Sequence, residues 1–520
     1  MSRKPTRRAV SKVTGFPAPV KGWSSKNSIA QAEPQTAVIM QNMFPESDAV
    51  RVRRGTTSQS TGIGSSVDSL LVYNSATGSK KLFAAKSSAV YNCTSIGAVG
   101  AAEFSGMTNG KWQQEIFSTA AGQYLVICNG ANGVRTYDGA AWVDQTAAIT
   151  GTVGRVSSFI HVCAHRSRLW FVDDGTTDLW YLPVTAINGA AVKYPLGAQF
   201  KLGGKIVACS TWSSTQGNVS DDKLVIISNQ GEILIYSGTD PSGASTWALQ
   251  LRFVLSPPLG NRCFFTVGAD LLILTEVGLF PISQVLEIDS AALSGKALNN
   301  EIKDAWTHAV RVSRSAFGWC ITTLPMSNMA IINVPAGGAD TVQQFVYNVT
   351  TGAWGRFLGW SANCWAYLDG AIYFGDGAGN VDRAEYGGSD KGAPIAAYML
   401  PAYDNLGFPG RLKNVSLVRP ILSSDVTQSV SIGIAVDYKA PTITTIGIAS
   451  GAAVFTWDTS FWDGTDLWSS DTVSLTWDGT GNVGTMISPA LAMNLDAGTT
   501  TEFIYRIISF DIVFEVGDVV

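Results

Sequence analysis

The stretch Ala366–Arg383, AYLDGAIYFGDGAGNVDR, decides how this chain is read. A short apolar run reaches a Gly turn, a second run follows through Ile372, Tyr373 and Phe374, and another Gly-rich turn opens a polar strand. The same grammar recurs in Tyr124–Asp138 (YLVICNGANGVRTYD), Leu169–Leu182 (LWFVDDGTTDLWYL), Leu224–Tyr236 (LVIISNQGEILIY) and Leu271–Ile282 (LLILTEVGLFPI). One such hairpin cannot bury its own apolar face, so repetition implies a radial or stacked architecture. From about residue 65 to 390 the units recur at roughly 45 residues, the length of a four-stranded propeller blade. Their centres fall near Phe83, Ile127, Phe171, Ile227, Ile273, Ile331 and Tyr373. The expected fold is therefore mainly β: a β-propeller of about seven blades. Such a repeat favours a scaffold or binding surface over a compact enzyme.

Composition agrees. The 520 residues include 53 Gly, 16 Trp, 15 Tyr and 22 Phe but only 15% charged side chains, which suits strands packed on both faces. It also suits a chain whose remaining surface is covered by identical neighbours. No apolar run is long enough for a membrane-spanning helix. The basic N-terminus lacks the apolar core of a secretory signal. The seven cysteines, Cys93, Cys128, Cys163, Cys209, Cys263, Cys320 and Cys364, include no CxxC pair. Most lie in or beside strand-like runs and read as small buried residues of a protein made in a reducing cytosol. They come about once per repeat unit.

The ends differ from the middle. Residues 1–60 read as a basic extended arm and an entry strand. Of the 36 Lys and Arg, seven (Arg3, Lys4, Arg7, Arg8, Lys12, Lys21 and Lys26) precede the first acid, Glu33, which leaves 29 against 40 acids, a net of −11. This asymmetry suits an arm that contacts nucleic acid or an acidic protein groove, and equally a solvated tail. Residues 61–390 hold the propeller, with a helical insertion at Ala297–Ala309 that places Leu298, Ile302, Ala305 and Ala309 on one face. Residues 391–520 read as a C-terminal β-sandwich or platform. There Val430–Asp437 and Phe503–Phe514 bracket a Trp/Asp-rich segment, Phe455–Gly479. Apolar residues on both faces of Phe503–Phe514 suit a doubly buried strand or a subunit interface.

Few residues offer chemistry, and no catalytic residue, metal or cofactor is expected. His161 and His165 sit on a strand-like run, where i and i+4 lie ~13 Å apart, too far for one metal; His308 is the third histidine. Asp173, Asp174 and Asp178 crowd one turn, and Asp376 and Asp382 another. Asp376, Asn380 and Asp382 offer oxygen ligands for Ca²⁺, but turn-forming Asp is the commoner role. Trp457, Trp462, Trp468 and Trp477, mixed with Asp463 and Asp466, suit either a sugar-stacking site or, in the favoured reading, a β-core or subunit contact. Arg51 and Arg53 alternate with Val50 and Val52 on one strand face. With Arg54 and the basic residues of the arm they are candidate partner contacts; a solvated edge strand fits them equally.

Gln41–Gly55 (QNMFPESDAVRVRRG) resembles the opening of the tail-hub or nozzle proteins of short-tailed bacteriophages, also called packaged-DNA stabilisation proteins. Arg166–Asp178, Lys223–Gly238 and Phe345–Trp354 look like their propeller strands, and Arg506–Glu515 is similar to their C-terminal end. The strongly basic first 26 residues depart from the pattern. The resemblance implies a non-enzymatic virion tail protein, made in the host cytoplasm, that forms a homo-hexameric ring below the portal and its adaptor. It implies tail fibres or spikes as partners, a plug or needle protein in some cases, and packaged DNA passing through the lumen without sequence-specific binding. An acidic chain would let that DNA slide. Two alternatives stand beside it: a propeller that binds or hydrolyses host-surface glycans, and a DNA-binding module acting through the basic arm.

Overall fold

The computed structural model describes residues 11–151, 154–216, 219–243, 245–285, 297–424, 428–439, 441–446, 472–473, 477–498 and 503–519. Most elements among the described residues are strands. The chain divides into two compact units: Met1–Thr57 with Gln344–Gly359 and Ala384–Val520, and Ser58–Gln343 with Trp360–Arg383.

The second unit is the propeller. Seven innermost strands define its blades: Ser69–Asn74, Gln113–Thr119, Phe159–His165, Ile206–Gln216, Phe264–Val267, Cys320–Leu324 and Ala362–Leu368. Each pairs antiparallel with the strand that follows it. All seven expected repeat centres, from Phe83 to Tyr373, lie on those second strands. In Ala366–Arg383 the hairpin turns at Asp369 and Gly370, whose φ values of 53° and 77° demand a residue tolerant of the left-handed region. Blades one to four each hold four strands. Blade five has three among the described residues. Blade seven is completed by Thr56–Thr61, which lies beside Val381–Ala384, so the two sequence ends of the propeller meet in one sheet.

The apolar core lies between blades, as the period-two pattern requires. Cys364, Ala366 and Leu368 of blade seven pack on Leu70, Val72 and Leu82 of blade one. Phe83 and Val90 pack on Leu125 and Ile127, and Phe117 and Val126 on Phe159, Val162 and Phe171. Trp170 and Tyr181 meet Leu224, Tyr236 and Trp247 in the same way. The expected helix is a 3-10 turn, Leu298–Ile302, running into an α-helix, Lys303–Ser313. Trp306 and Ala309 are its buried anchors.

The first unit draws on both the expected extended arm with its entry strand (1–60) and the expected C-terminal β-domain (391–520). Lys12–Pro17 pairs along Tyr505–Val519, from Lys12 opposite Phe514 to Pro17 opposite Ser509, so both ends of the chain build one body. Tyr505–Val519 also pairs with Arg411–Ser424 and with Val50–Val52, and the last of these pairs with Met43–Pro45. In a second sheet, Ala37–Gln41 lies between Trp354–Leu358 and Ile395–Pro401, followed by Ile487–Leu495 and Val430–Val436. Asn482 Nδ2 donates to Ile434 O at 3.1 Å between the two sheets, which form a sandwich. No helix among the described residues is long and apolar enough to cross a membrane.

Candidate functional site

Seven strands begin around one axis, and side chains from all of them meet there. Cys163, Cys209, Cys320 and Cys364 lie on innermost strands, and Cys263 immediately precedes one. All seven cysteines are buried, one to a blade, with Cys93 and Cys128 lying off the innermost strands. Cys163, Cys209 and Cys320 line a cavity of about 350 Å³ that draws on every blade, with Leu70, Glu115, His161, Phe264 and Trp365 among its other walls.

Arg262 crosses the end of the cavity where the inner strands begin. It leaves blade five and donates from Nη2 to Ser69 Oγ at 2.6 Å and to the carbonyls of Trp112 at 3.0 Å and Asp68 at 3.3 Å. Its guanidinium lies 4.8 Å from the centroid of Phe317. The neighbouring Asn261 donates to Ile160 O and accepts from Gln113 Nε2, both at 3.4 Å. Blades one, two, three and five are thus tied together at this end.

Inside the cavity, Cys163 Sγ and Cys209 Sγ lie 3.0 Å apart, and Cys209 Sγ is 4.0 Å from His161 Nδ1. The register of their two strands is fixed nearby by Thr211, whose Oγ1 donates to Ala164 O at 2.7 Å and meets His165 Nδ1 at 3.0 Å. Burial opposes ionisation of Cys209, but the Cys163 thiol and His161 outweigh it and lower its pKa. Burial, with the hydrogen bond to Cys209, pushes Cys163 well up. Burial also pushes the Glu115 carboxyl up to about 8, against a backbone hydrogen bond from Ala164. Among the described residues no three His, Cys, Asp or Glu side chains are grouped to hold a metal ion.

The other residues singled out in the sequence have structural duties. His165 is buried edge-on to Trp247, with ring centroids 5.6 Å apart. His308 pairs with Asp340 at 2.8 Å on the exposed side of the helix. Asp173 is buried and held by Arg155 at 2.9 and 3.0 Å and by Ser158 at 2.6 Å. Asp174 pairs with Lys205 and Asp178 with Lys193. Asp376 accepts from the amides of Ala378 and Asn380 at 3.0 and 2.7 Å, which closes its own turn and leaves the Ca²⁺ loop without support.

Arg51 and Arg53 are not surface contacts. The Val50–Val52 strand lies between Met43–Pro45 and Tyr505–Val519, so neither side is a free edge. Arg51, 8% exposed, pairs with Glu46 at 3.2 Å and Glu385 at 3.1 Å. Arg53, 1% exposed, is bound by Asn42, Asp390 and the carbonyls of Arg54 and Leu358. The Arg54 amide donates to Glu385 at 3.0 Å. Lys12 stays exposed, its ammonium 4.0 Å from the centroid of Phe408. Trp477 is half-buried, with the Arg419 guanidinium 4.6 Å from its centroid. Arg3, Lys4, Arg7, Arg8, Trp457, Trp462 and Trp468 lie outside the described residues.

Glu115 and Arg262 do not stand out in the sequence, because neither belongs to a motif. The recurring cysteines were the available pointer to the axis. No family model and no curated protein matches this chain. Similar solved structures include the computationally designed Ika8 protein (13% identity, 63% of this chain and 99% of that one, TM-score 0.33). Another is the Cps50 (Swd1) β-propeller domain of Myceliophteria thermophila (11%, 64% and 99%, TM-score 0.40). A third is the exo-β-1,3-galactanase of Phanerochaete chrysosporium with galactose (9%, 77% and 95%, TM-score 0.25). At such scores they bear on neither substrate nor activity.

Proposed function

We propose that this chain is a structural, non-enzymatic subunit of a ring, of the tail-hub or nozzle kind found in short-tailed phages. The observation that carries this reading is a group of exposed Val and Leu side chains on an outer sheet face of the first unit. Val13 is opposite Val513, which is opposite Leu417; Val483 is opposite Asn414, which is opposite Glu515. Residues 513 and 515 share a face by strand alternation, so these side chains project together. Val13 is 65% exposed, Val483 53% and Leu417 37%, while Ile512 and Phe514 between them point into the core. A face of this kind on an ordered sheet fits a second copy of the chain, and repeated copies joined head to tail close a ring.

The propeller centre supports a scaffold over a hydrolase. Glycoside hydrolysis asks for two carboxylates across the sugar, and Glu115 is the carboxylate lining the cavity. In this reading the ring sits at the tail, between a portal adaptor and fibres or spikes. The net charge of −11 beyond residue 26 lets DNA pass through its lumen without being gripped. Mass measurement and negative-stain imaging of the purified chain, alone and with its neighbours in the particle, test the reading. A six-copy ring with an axial hole is expected; a stable monomer with glycosidase activity would overturn it.

A further inference from the structure

We propose that Cys163 and Cys209 form a redox modification site in which a peroxide entering the central cavity converts the two thiols to a disulfide joining blade three to blade four. Nothing in this depends on the tail reading. The two sulfurs belong to adjacent innermost strands and face each other at 3.0 Å. A disulfide needs them about 1 Å closer. Thr211, bonded to Ala164 and His165, fixes the relative register of the strands, so the pair cannot slide apart. Both cysteines line the cavity together with His161, so a peroxide inside it meets both sulfurs.

The chemistry divides the roles. Cys209, with His161 Nδ1 at 4.0 Å, is the attacking thiolate, and His161 holds the proton it gives up. Its sulfur attacks one peroxide oxygen, the O–O bond breaks, and the departing hydroxide takes the proton from His161 to become water. Cys209 is then a sulfenic acid. Cys163 Sγ attacks that sulfur, the S–O bond breaks as the S–S bond forms, and the second hydroxide leaves with the Cys163 proton as water. Two thiols lose two electrons, and one peroxide gains them. The remaining cysteines are poor competitors. Burial pushes the thiols of Cys93 and Cys320 up to about 11 and those of Cys263 and Cys364 up to about 12.

The test treats the full-length reduced protein with hydrogen peroxide, quenches it, denatures it and alkylates the free thiols. Intact mass and peptide mapping then count and locate them. Five of the seven cysteines should remain alkylatable, with one linked peptide pair joining residues 163 and 209 that dithiothreitol releases. In Cys163→Ser, dimedone should trap a sulfenic acid on Cys209; in Cys209→Ser, residue 163 should stay reduced over the same time. His161→Asn should slow cross-linking at least tenfold without changing its end point. Seven alkylatable thiols in the treated native protein, or a cross-link between other cysteines, would overturn the proposal. The wild-type measurement stands by itself if a variant folds poorly.

Discussion

The Arg53 guanidinium holds Asp390 with both terminal nitrogens, Nη1 to Oδ1 at 2.9 Å and Nη2 to Oδ2 at 2.6 Å. The two residues are 337 positions apart. Arg53 also donates to Asn42 Oδ1 and to two backbone carbonyls, so one buried fork gathers three segments of the first unit. Arg53→Ala leaves a carboxylate and two carbonyls without their donor and should cost about 3–5 kcal/mol. Arg53→Lys should recover only part of this, because an ammonium cannot reproduce the planar fork. Urea unfolding of the first unit's transition checks both.

Phe171, fully buried, stacks on Phe159 at 4.9 Å between blades two and three. Phe171→Ala should destabilise the propeller by about 3–5 kcal/mol, and Phe171→Leu by distinctly less. Chemical denaturation followed by tryptophan fluorescence reads the difference.

Glu115 gives the propeller a pH dependence of predictable sign. In the folded chain its carboxyl keeps its proton up to about pH 8, whereas an unfolded glutamate loses it near pH 4.3. Between these values the folded state binds more protons, so stability falls as pH rises. Denaturation midpoints should drop from pH 5 to pH 8 in the wild type. Glu115→Gln should flatten that slope and be the more stable protein at pH 8.

Leu417→Asp and Val13→Asp place charge on the exposed apolar sheet face. Val13→Asp should leave the monomer's unfolding free energy within about 0.5 kcal/mol of wild type, as surface substitutions do, and Leu417→Asp, at a less exposed position, should cost more. Both should abolish ring assembly in light scattering. An unchanged ring would remove that face from the interface.

The propeller was legible because its signals are local. Short apolar runs and Gly turns lie within one hairpin, and each of the seven inferred centres, such as Phe83 and Ile331, sits on a second strand. The burial of Arg51 was not legible, because it depends on Tyr505–Val519, which pairs with Val50–Val52 from the far end of the chain. The axial site was hidden for the same reason. Arg262 reaches Trp112 across 150 positions, and Asn261 reaches Gln113 across 148. Neighbours made by ring closure leave no trace in the spacing of either residue.

The strand that completes blade seven has a consequence for biosynthesis. Thr56–Thr61 leaves the ribosome roughly 320 residues ahead of Val381–Ala384, beside which it lies. At about 5–20 residues per second, that strand waits some 15–60 s with an unpaired edge. The interval is long enough for another nascent chain, or a chaperone, to reach it first.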